Sequence, residues 1–267
     1  MRTYGRRVVL GMAAALVAAL PFAGSALSHD STISTVAGTG TPGNSGDLGL
    51  ASLAQLQDPQ DVAPLPGGGF LVADTANDVI REVDSLGVIT RVAGTTGVDG
   101  YSGDGGLATL ATIGYAASVG PTADGGFLIA DSDADRVRKV SELGVIDTVA
   151  GSGNGTYDGD GVPATLAGLD EPTDAVELPD GSILIADSAN HRIRKVSPLG
   201  VIETVAGTGA GDFNGDGGPA TSAALKDPTD ISPLADGGFL FVDAGNRRVR
   251  RRDALSGSAP VSGRGRS

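Results

Sequence analysis

The chain has 267 residues, and 32 acidic side chains outnumber 19 Lys and Arg, which gives a formal net charge of −13. This balance excludes nucleic-acid binding as a main task, because sites for a phosphate backbone are basic. The chain has no Cys, which excludes disulfides, thiolate metal sites and Cys nucleophiles. Hydrophobic residues make up 40% of the chain, so a core of aliphatic side chains is expected despite the 43 Gly and 14 Pro.

The first 28 residues have the pattern of a secretory signal. Three Arg precede an apolar run at residues 8–23, and small residues follow up to Ser28. The run is shorter than the roughly 20 residues that span a bilayer, which favours a cleaved signal over an uncleaved anchor. We therefore predict a signal peptide at residues 1–28, a secreted or extracytoplasmic location, and no membrane span after signal removal.

From residue 33 onward the chain repeats one unit four times. Each copy begins with Ile-x-x-Val-Ala-Gly, at residues 33, 89, 146 and 202, so the spacings are 56, 57 and 56 residues. A Gly-rich loop, a short Ala/Leu stretch, a Pro-x-Asp segment, an apolar run ending in Asp and a basic segment follow in turn. The segments are short, β-branched and bounded by Gly, Pro, Asn and Asp, which is typical of strands. The Ala/Leu stretches are long enough for one or two helical turns.

Four strands in each unit predict an all-β fold. One such unit cannot bury both faces of its sheet alone, so neighbouring units must pack against each other. Radial packing of four-stranded units is a β-propeller. We therefore predict an all-β β-propeller of four four-stranded blades at residues 29–252, followed by a disordered Ser/Gly/Arg-rich tail at residues 253–267.

The repeated unit resembles the NHL repeat. The third copy contains the Asn-His-Arg-Ile element at residues 190–193 that is typical of the family, between the apolar run 183–187 and the segment 201–207. The other copies carry variants of this element. The resemblance implies a secreted propeller of bacterial type in which the Pro-x-Asp strand is innermost and lines the channel. NHL propellers are usually six-bladed, so four copies depart from the family pattern.

The two ends of the array predict how the ring closes. The array starts with the strand Ile33–Gly38 and ends after the basic strand 249–252, where Ser258 stands in the register position of Ile202. The N-terminal strand is therefore expected to complete the last blade and close a four-blade ring, since closure removes two exposed edges. The alternative is an open arc that pairs with a second chain, which would make the protein a dimer.

The Asp of the Pro-x-Asp segments is the main candidate for a ligand. Asp61, Asp174 and Asp230, with Ser118 in the second copy, are expected to approach one axis. Carboxylates gathered in this way have raised pKa values or recruit a cation, and oxygen ligands favour calcium or magnesium. The alternative is that each Asp caps a turn by hydrogen bonding to the backbone.

Other patterns recur in every copy and therefore indicate folding rather than catalysis. The Asp that ends each apolar run is expected to pair with the Arg of the next strand, as Asp74 with Arg81. The Gly-Asp-Gly loops lack the complete EF-hand pattern and are interpreted as tight turns. The Arg-rich segment 247–252 is interpreted as a charged edge strand that resists aggregation, with an anion-docking patch as the alternative.

The residue inventory limits catalysis. The chain has two His, His29 and His191, which excludes a three-His zinc site and leaves His191 alone for a triad. Near-symmetry also favours binding over catalysis. We therefore predict a secreted, non-catalytic propeller that binds a protein or a carbohydrate through its loops. The alternative is a calcium-dependent lactonase-type hydrolase or lyase at the channel mouth, with the three Asp as metal ligands.

Overall fold

The structure, a computed structural model, describes residues 32–254. The predicted signal peptide and residues 255–267 of the predicted tail lie outside the described residues. Residues 35–254 form one compact unit. No helix within residues 32–254 is long and apolar enough to cross a membrane.

Four small antiparallel sheets in a ring form a four-blade β-propeller, which confirms the predicted fold class. Blade 1 contains β1 (Gly49–Leu50), β2 (Asp61–Pro64), β3 (Phe70–Asp74), β4 (Val79–Val83) and β5 (Val88–Ala93). Blade 2 contains β6 (Gly106–Leu107), β7 (Ala116–Pro121), β8 (Phe127–Asp131), β9 (Arg136–Val140) and β10 (Val145–Ala150). Blade 3 contains β11 (Pro172–Glu177), β12 (Ile183–Asp187), β13 (Arg192–Val196) and β14 (Ile202–Ala206). Blade 4 contains β15 (Pro228–Pro233), β16 (Phe239–Asp243) and β17 (Arg248–Arg252).

The blades do not all have the four strands that the repeat predicts. In blades 1 and 2 an additional two-residue strand after the Gly-rich loop pairs with the outermost strand, so these sheets have five strands. Blade 3 has four strands, and blade 4 has three within the described residues. The residues in the register position of a fourth strand of blade 4 lie outside the described residues.

Local sequence accounts for the turns between the strands. The Ala/Leu stretches form single 3-10 turns, such as Ala108–Leu110, at the shorter end of the expected range. The residue before each basic strand has a left-handed backbone with φ of 53–58°. Asp, Asn and His tolerate this conformation better than most residues, so the turn fits the Asn-His sequence. The turn residues are Asp78, Asp135, His191 and Arg247.

The hydrophobic core lies in layers between successive blades. Leu71 and Ile80 of blade 1 pack in one cluster with Ile129 of blade 2, and two similar clusters join blades 2 and 3 and blades 3 and 4. Inner strands β2, β7, β11 and β15 pack side by side in this order. Each blade therefore buries its apolar face against the next copy, as expected for a unit that cannot form a core alone.

The junction between blade 4 and blade 1, here called the seam, differs from the other three junctions. Val62 on β2 is 59% exposed, whereas the equivalent side chains of the other blades are at most 5% exposed. Val249 on β17 is 68% exposed, whereas its equivalents are fully buried. Apolar side chains that are covered at the other junctions are therefore open to solvent at the seam.

The expected completion of blade 4 by the N-terminal strand is not observed. Thr35–Gly38 forms no strand, and β17 is an edge strand within the described residues. The Gly38 N–H donates to the carbonyl oxygen of Ala51 at 2.9 Å, and Ala37 packs against the small core cluster around Ala51. The segment is therefore anchored on blade 1 and leaves the edge of β17 open.

Candidate functional site

In all four blades the Arg of the basic strand is held between carboxylates, in an arrangement here called the brace. The brace Arg residues are Arg81, Arg138, Arg194 and Arg250. The Arg of the basic strand contacts the Asp that ends the apolar run, at 3.6 Å for Arg81 with Asp74 and 3.2 Å for Arg194 with Asp187. The Arg side chains of blades 1–3 are at most 2% exposed, and the Asp side chains are fully buried. These contacts confirm the predicted Asp–Arg pair. A buried Arg needs such partners, because an unpaired buried charge is strongly destabilising.

The sequence analysis missed the second partner of this Arg. The Asp of each Gly-Asp-Gly loop accepts a hydrogen bond from the same guanidinium, at 2.6 Å for Asp104 with Arg138 and 3.1 Å for Asp160 with Arg194. The loops are therefore tight turns that also hold a carboxylate over the brace. The separation of 34 residues between this Asp and its Arg in every copy was a signal that could have identified the pair.

An aromatic ring covers the brace in three blades. The guanidinium of Arg192 lies 3.7 Å from the ring centre of Tyr157, and Arg194 lies on the same ring at 4.9 Å. Tyr101 and Phe213 take the same place in blades 2 and 4. In blade 1 the ring is replaced by Asn44 and the outer Arg by Val79. Ring and second Arg are absent together, as expected if cation–π stacking holds them in place.

The Pro-x-Asp strands line a central channel, as predicted. A cavity of about 310 Å³ opens at its mouth. The cavity is lined by Gln60, Asp61, Tyr115, Ala117, Ser118, Thr173, Asp174, Thr229 and Asp230. The structure thus brings the four predicted site residues to one cavity.

Two of the channel carboxylates connect adjacent blades. Asp61 accepts hydrogen bonds from the backbone N–H of Val62 and, across the junction to blade 2, from that of Val119, both at 2.8 Å. Asp174 does the same with Ala175 and with Ile231 of blade 4, again at 2.8 Å. Both oxygens of each carboxyl are therefore used in a contact here called the clamp. This is close to the predicted alternative of hydrogen bonding to the backbone.

Blade 2 interrupts this pattern. Ser118 replaces the clamp Asp, and its buried hydroxyl forms no hydrogen bond of normal geometry among the described residues, although it lies near enough to the Asp174 carboxyl to lower the pKa of that group. Tyr115 replaces an acidic residue that has a left-handed backbone in the other three blades, where Asp58, Glu171 and Asp227 stand. The Tyr115 side chain is 43% exposed at the mouth. One side of the channel thus presents an aromatic ring and a hydroxyl where the repeat would place two carboxylates.

The carboxyl of Asp174 is a weaker acid than an ordinary Asp side chain. Burial raises its pKa to about 7, and the charges of Asp230 and Asp61 act in the same direction. The Ile231 N–H and the nearby Ser118 hydroxyl oppose this rise but do not cancel it. Asp174 therefore holds a proton over much of the range in which ordinary Asp residues are charged.

The three carboxylates are not gathered around one point. Within residues 32–254, no group of three or more His, Asp or Glu side chains is arranged to hold a metal ion. The oxygens of Asp61 and Asp174 are occupied by backbone N–H groups, while Asp230 is exposed at the mouth. The predicted cation site stays a prediction, and its ligands would have to exchange these hydrogen bonds for the ion.

The Asn of the repeated Asn-His element supports the brace. The Asn190 amide donates to both oxygens of Asp187 at 2.9 and 3.1 Å, and Asn246 does the same with Asp243 in blade 4. In blade 1 the Asn77 amide donates to one oxygen of Asp74 at 2.9 Å. Blade 2 has Ala134 at this position, and Oδ2 of Asp131 is left without a hydrogen bond. Burial raises the pKa of Asp131 to about 7, compared with about 6 for Asp187.

The contacts of His191 indicate a role in folding. Its Nδ1 lies 3.2 Å from a carboxylate oxygen of Asp227 and accepts a hydrogen bond from the Asp227 N–H at 3.3 Å. Both groups lie in the junction between blades 3 and 4, and neither is among the residues that line the cavity at the channel mouth. The contact is that of a turn residue with the next blade and indicates no triad.

The Arg-rich strand is largely engaged in the fold. Arg250 belongs to the brace, Arg248 stacks on Phe213, and Arg251 pairs with Asp236 and, at 2.8 Å, with Asp253. These contacts agree with the interpretation of β17 as a charged edge strand.

Comparisons with known proteins support the fold. No protein-family model matches the chain, so the NHL resemblance stays a prediction. The chain is 33% identical to protein SUPPRESSOR OF QUENCHING 1, chloroplastic, of Arabidopsis thaliana over 101 residues, which are 38% of this chain and 9% of that protein. This match covers too little of the relative to show a family.

Solved bacterial β-propellers are similar in structure. A Bacteroides thetaiotaomicron protein of unknown function has a TM-score of 0.59 at 20% identity, covering 73% of this chain and 47% of that one. An auxiliary nutrient binding protein from Bacteroides ovatus has 0.55 at 19%, covering 75% and 49%. A gluconolactonase from Xanthomonas campestris has 0.52 at 12%, covering 74% and 58%. This chain thus spans about half the length of the first two structures, and the likeness establishes a β-propeller fold shared by binding proteins and enzymes.

Proposed function

We propose that this chain is an extracytoplasmic, non-catalytic binding propeller whose ligand is a neutral or amine-bearing carbohydrate at the channel mouth. The interruption of the repeat in blade 2 carries this proposal. A position that only serves folding should keep the clamp Asp, because the clamp satisfies buried backbone donors of the next blade. Blade 2 instead has a buried hydroxyl that accepts from no backbone N–H of blade 3, beside an exposed ring. Departures from a pattern that serves folding are expected at functional sites, and a binding site is one of these.

The lining of the mouth suits a polyhydroxylated ligand. Ser118 and the Thr residues both donate and accept hydrogen bonds, the Gln60 amide donates and accepts, and the Asp230 carboxyl offers two acceptor oxygens. The ring of Tyr115 offers an apolar face for a sugar ring beside these polar groups. The cavity volume of about 310 Å³ lies at the small end of ligand pockets, which fits one or two sugar rings.

Charge selects among carbohydrates. The mouth contains three carboxyls and no basic side chain, so an anionic sugar would be repelled. The structural similarity to an auxiliary nutrient binding protein agrees with a binding role outside the cytoplasm, as does the predicted signal peptide. Binding of a protein through the same loops is the other outcome that the test below distinguishes.

A titration with a matched pair of tyrosine variants tests this proposal. The probes are a panel of soluble neutral and amine-bearing oligosaccharides, and binding is measured by calorimetry and by ligand-observed NMR. We expect Tyr115→Ala to abolish binding, while Tyr101→Ala, an equally exposed Tyr on a brace, leaves affinity unchanged. Absence of binding across the panel, or equal losses in both variants, would contradict the proposal. Capture of a protein at Tyr115 would replace the carbohydrate by a protein ligand.

A calcium-dependent hydrolase or lyase is the second candidate function. Burial is the main cause of the raised pKa of Asp174, but the charges of Asp230 and Asp61 add to it, and a bound cation would relieve that repulsion. If calcium binds Asp61, Asp174 and Asp230, millimolar calcium should raise the melting temperature, and Asp174→Asn should remove that rise. Turnover of a lactone panel that depends on calcium and on Asp174 would establish this function over the first.

A further inference from the structure

The seam exposes two surfaces whose equivalents at the other junctions are covered by a neighbouring blade. The face on blade 1 consists of Thr35–Gly38, Asp58 and Val62. The face on blade 4 consists of Asp230, Arg247 and the edge strand β17. Among the described residues, no hydrogen bond joins these two faces within the chain. A groove of about 410 Å³ also runs along β17, between Arg250–Arg252 and the loop Gly215–Thr221.

The junction between blades 3 and 4 shows how such faces fit together. The outer strand of blade 3 ends with Gly207, whose N–H donates to Ala220 of blade 4 at 3.0 Å. Asp174 accepts from the Ile231 N–H at 2.8 Å. The turn residue His191 contacts Asp227 at 3.2 Å. Because the copies are repeats, each of these contacts has equivalent residues at the seam.

The equivalent seam residues are complementary. Arg247 takes the place of His191, and Asp58 takes the place of Asp227, so opposite charges would meet. Asp230 takes the place of Asp174 and would accept from the N–H of Val62, which lies in the position of Ile231. Exposed Val62 and Val249 would become buried as their equivalents are. Thr35–Gly38 is already anchored by its Gly, as the outer strands are at the other junctions.

The chain's own C-terminal segment is a poor occupant for the groove beside β17. In the repeat register Ser258 replaces the buried Ile202, so an apolar anchor is lost. Pro260 replaces Thr204, which removes a backbone donor from the ladder. The sequence that fits this place is Thr-Val-Ala-Gly, as found at residues 35–38.

We infer that two copies of this chain join head to tail at the seam, with Thr35–Gly38 of one copy adding a strand to β17 of the next. The register follows from the other blades, where Ala93 pairs with Ile80 and Ala206 with Ile193. It places Ala37 of one copy opposite Val249 of its neighbour. The contact is heterologous, so it closes a ring if the rotation allows and otherwise continues to further copies. The pairing does not depend on the proposed carbohydrate site.

Charge reversal tests the seam in the full chain. We expect light scattering to give at least twice the mass of one chain. Arg247→Glu or Asp58→Lys alone should shift the mass to one chain, and the double variant should restore the assembly. Glu142→Lys, on an exposed turn of blade 2, is the control and should change nothing. A single-chain mass for the unmodified protein at every concentration would overturn the inference.

Crosslinking distinguishes a second copy from closure within one chain. Directly opposed residues of antiparallel strands lie within disulfide reach, and the chain has no Cys of its own. An equimolar mixture of the Ala37→Cys and Val249→Cys single variants should give a disulfide-linked pair of different chains. The control mixture of Leu86→Cys with Val249→Cys should not. An intrachain disulfide in the double variant without crosslinking in the mixture would show own-chain closure and overturn the inference, as would no disulfide at all.

Discussion

Blades 2 and 3 are adjacent copies of one unit, and they share the brace but differ at the channel mouth. Blade 3 has Glu171, the clamp Asp174 and the supporting Asn190, whereas blade 2 has Tyr115, Ser118 and Ala134 at these positions. The differences lie on neighbouring segments, since the Tyr115 carbonyl accepts from the Ser132 N–H and Asp131 accepts from the Gly114 N–H. The shared brace shows what the blade needs to fold. The altered residues of blade 2 show where the protein departs from what folding of the blade requires.

Removal of the brace should give the largest effect, and it should be equal in the two blades. Arg138→Ala and Arg194→Ala each leave two carboxylates without their partner, one of them fully buried. We expect each to lower the free energy of unfolding by about 3–5 kcal/mol in chemical denaturation. Arg250→Ala also leaves a buried carboxyl, Asp243, without its Arg, but it is the control with a smaller loss because Arg250 itself is 9% exposed and its other partner Asp216 is 69% exposed. A large difference between Arg138→Ala and Arg194→Ala would contradict a shared structural role.

Truncation at the clamp position should have different effects in blades 2 and 3. Asp174→Ala leaves the buried N–H groups of Ala175 and Ile231 without acceptors, which should lower the free energy of unfolding by about 2–3 kcal/mol. Ser118→Ala removes a hydroxyl that accepts from no backbone N–H of blade 3, so a smaller change of about 0.5 kcal/mol is expected. Urea denaturation of both variants measures the contrast. Equal losses would mean that Ser118 also holds the blades together.

The pH dependence should carry the signature of Asp174. Its folded pKa of about 7 lies above the ordinary value of 3.8, so the folded protein holds the proton more tightly than the unfolded chain. The free energy of unfolding should therefore fall as the pH rises from about 4 to 7. Asp174→Asn cannot titrate and should make this fall shallower; the remaining fall comes from the other carboxyls whose pKa values burial raises, among them Asp74, Asp131 and Asp187. Identical slopes in melting temperature against pH would contradict the raised pKa.

Much of this comparison was predictable from the sequence. The recurrence of Ile-x-x-Val-Ala-Gly predicts the blades, and the replacement of Asp by Ser118 marks the second copy as different. The role of Asp104 and its equivalents was missed because a Gly-Asp-Gly loop alone is explained by its turn. Only the constant sequence separation of 34 residues between this Asp and the brace Arg indicates that the loop folds back over the brace.

The state of the seam could not be predicted in the same way. Closure depends on the angle between successive blades, which is set by the packing of all four junctions. Residues such as Val62 and Val249 have the same apolar character as their buried equivalents. Their exposure is therefore visible only in the assembled ring.

Restoration of the missing Asn should give the smallest of these effects. Ala134→Asn would supply the amide donor that Asp187 receives from Asn190, and Oδ2 of Asp131 would gain a hydrogen bond. We expect a gain of about 1 kcal/mol in the free energy of unfolding at neutral pH, and a lower pKa of Asp131 by NMR titration. Asn190→Ala is the reciprocal control and should lose a similar amount. No gain in Ala134→Asn would show that blade 2 satisfies Asp131 by other means.

The central claim is that the mouth beside blade 2 has exchanged the repeated clamp for a binding site. Ser118→Asp restores the repeat and tests this directly, with oligosaccharide affinity and melting temperature measured on the same sample. The account predicts that binding is lost while the protein still unfolds in one cooperative transition, because the new carboxyl fills the mouth and removes the hydroxyl. Unchanged affinity in a stably folded Ser118→Asp protein would contradict it.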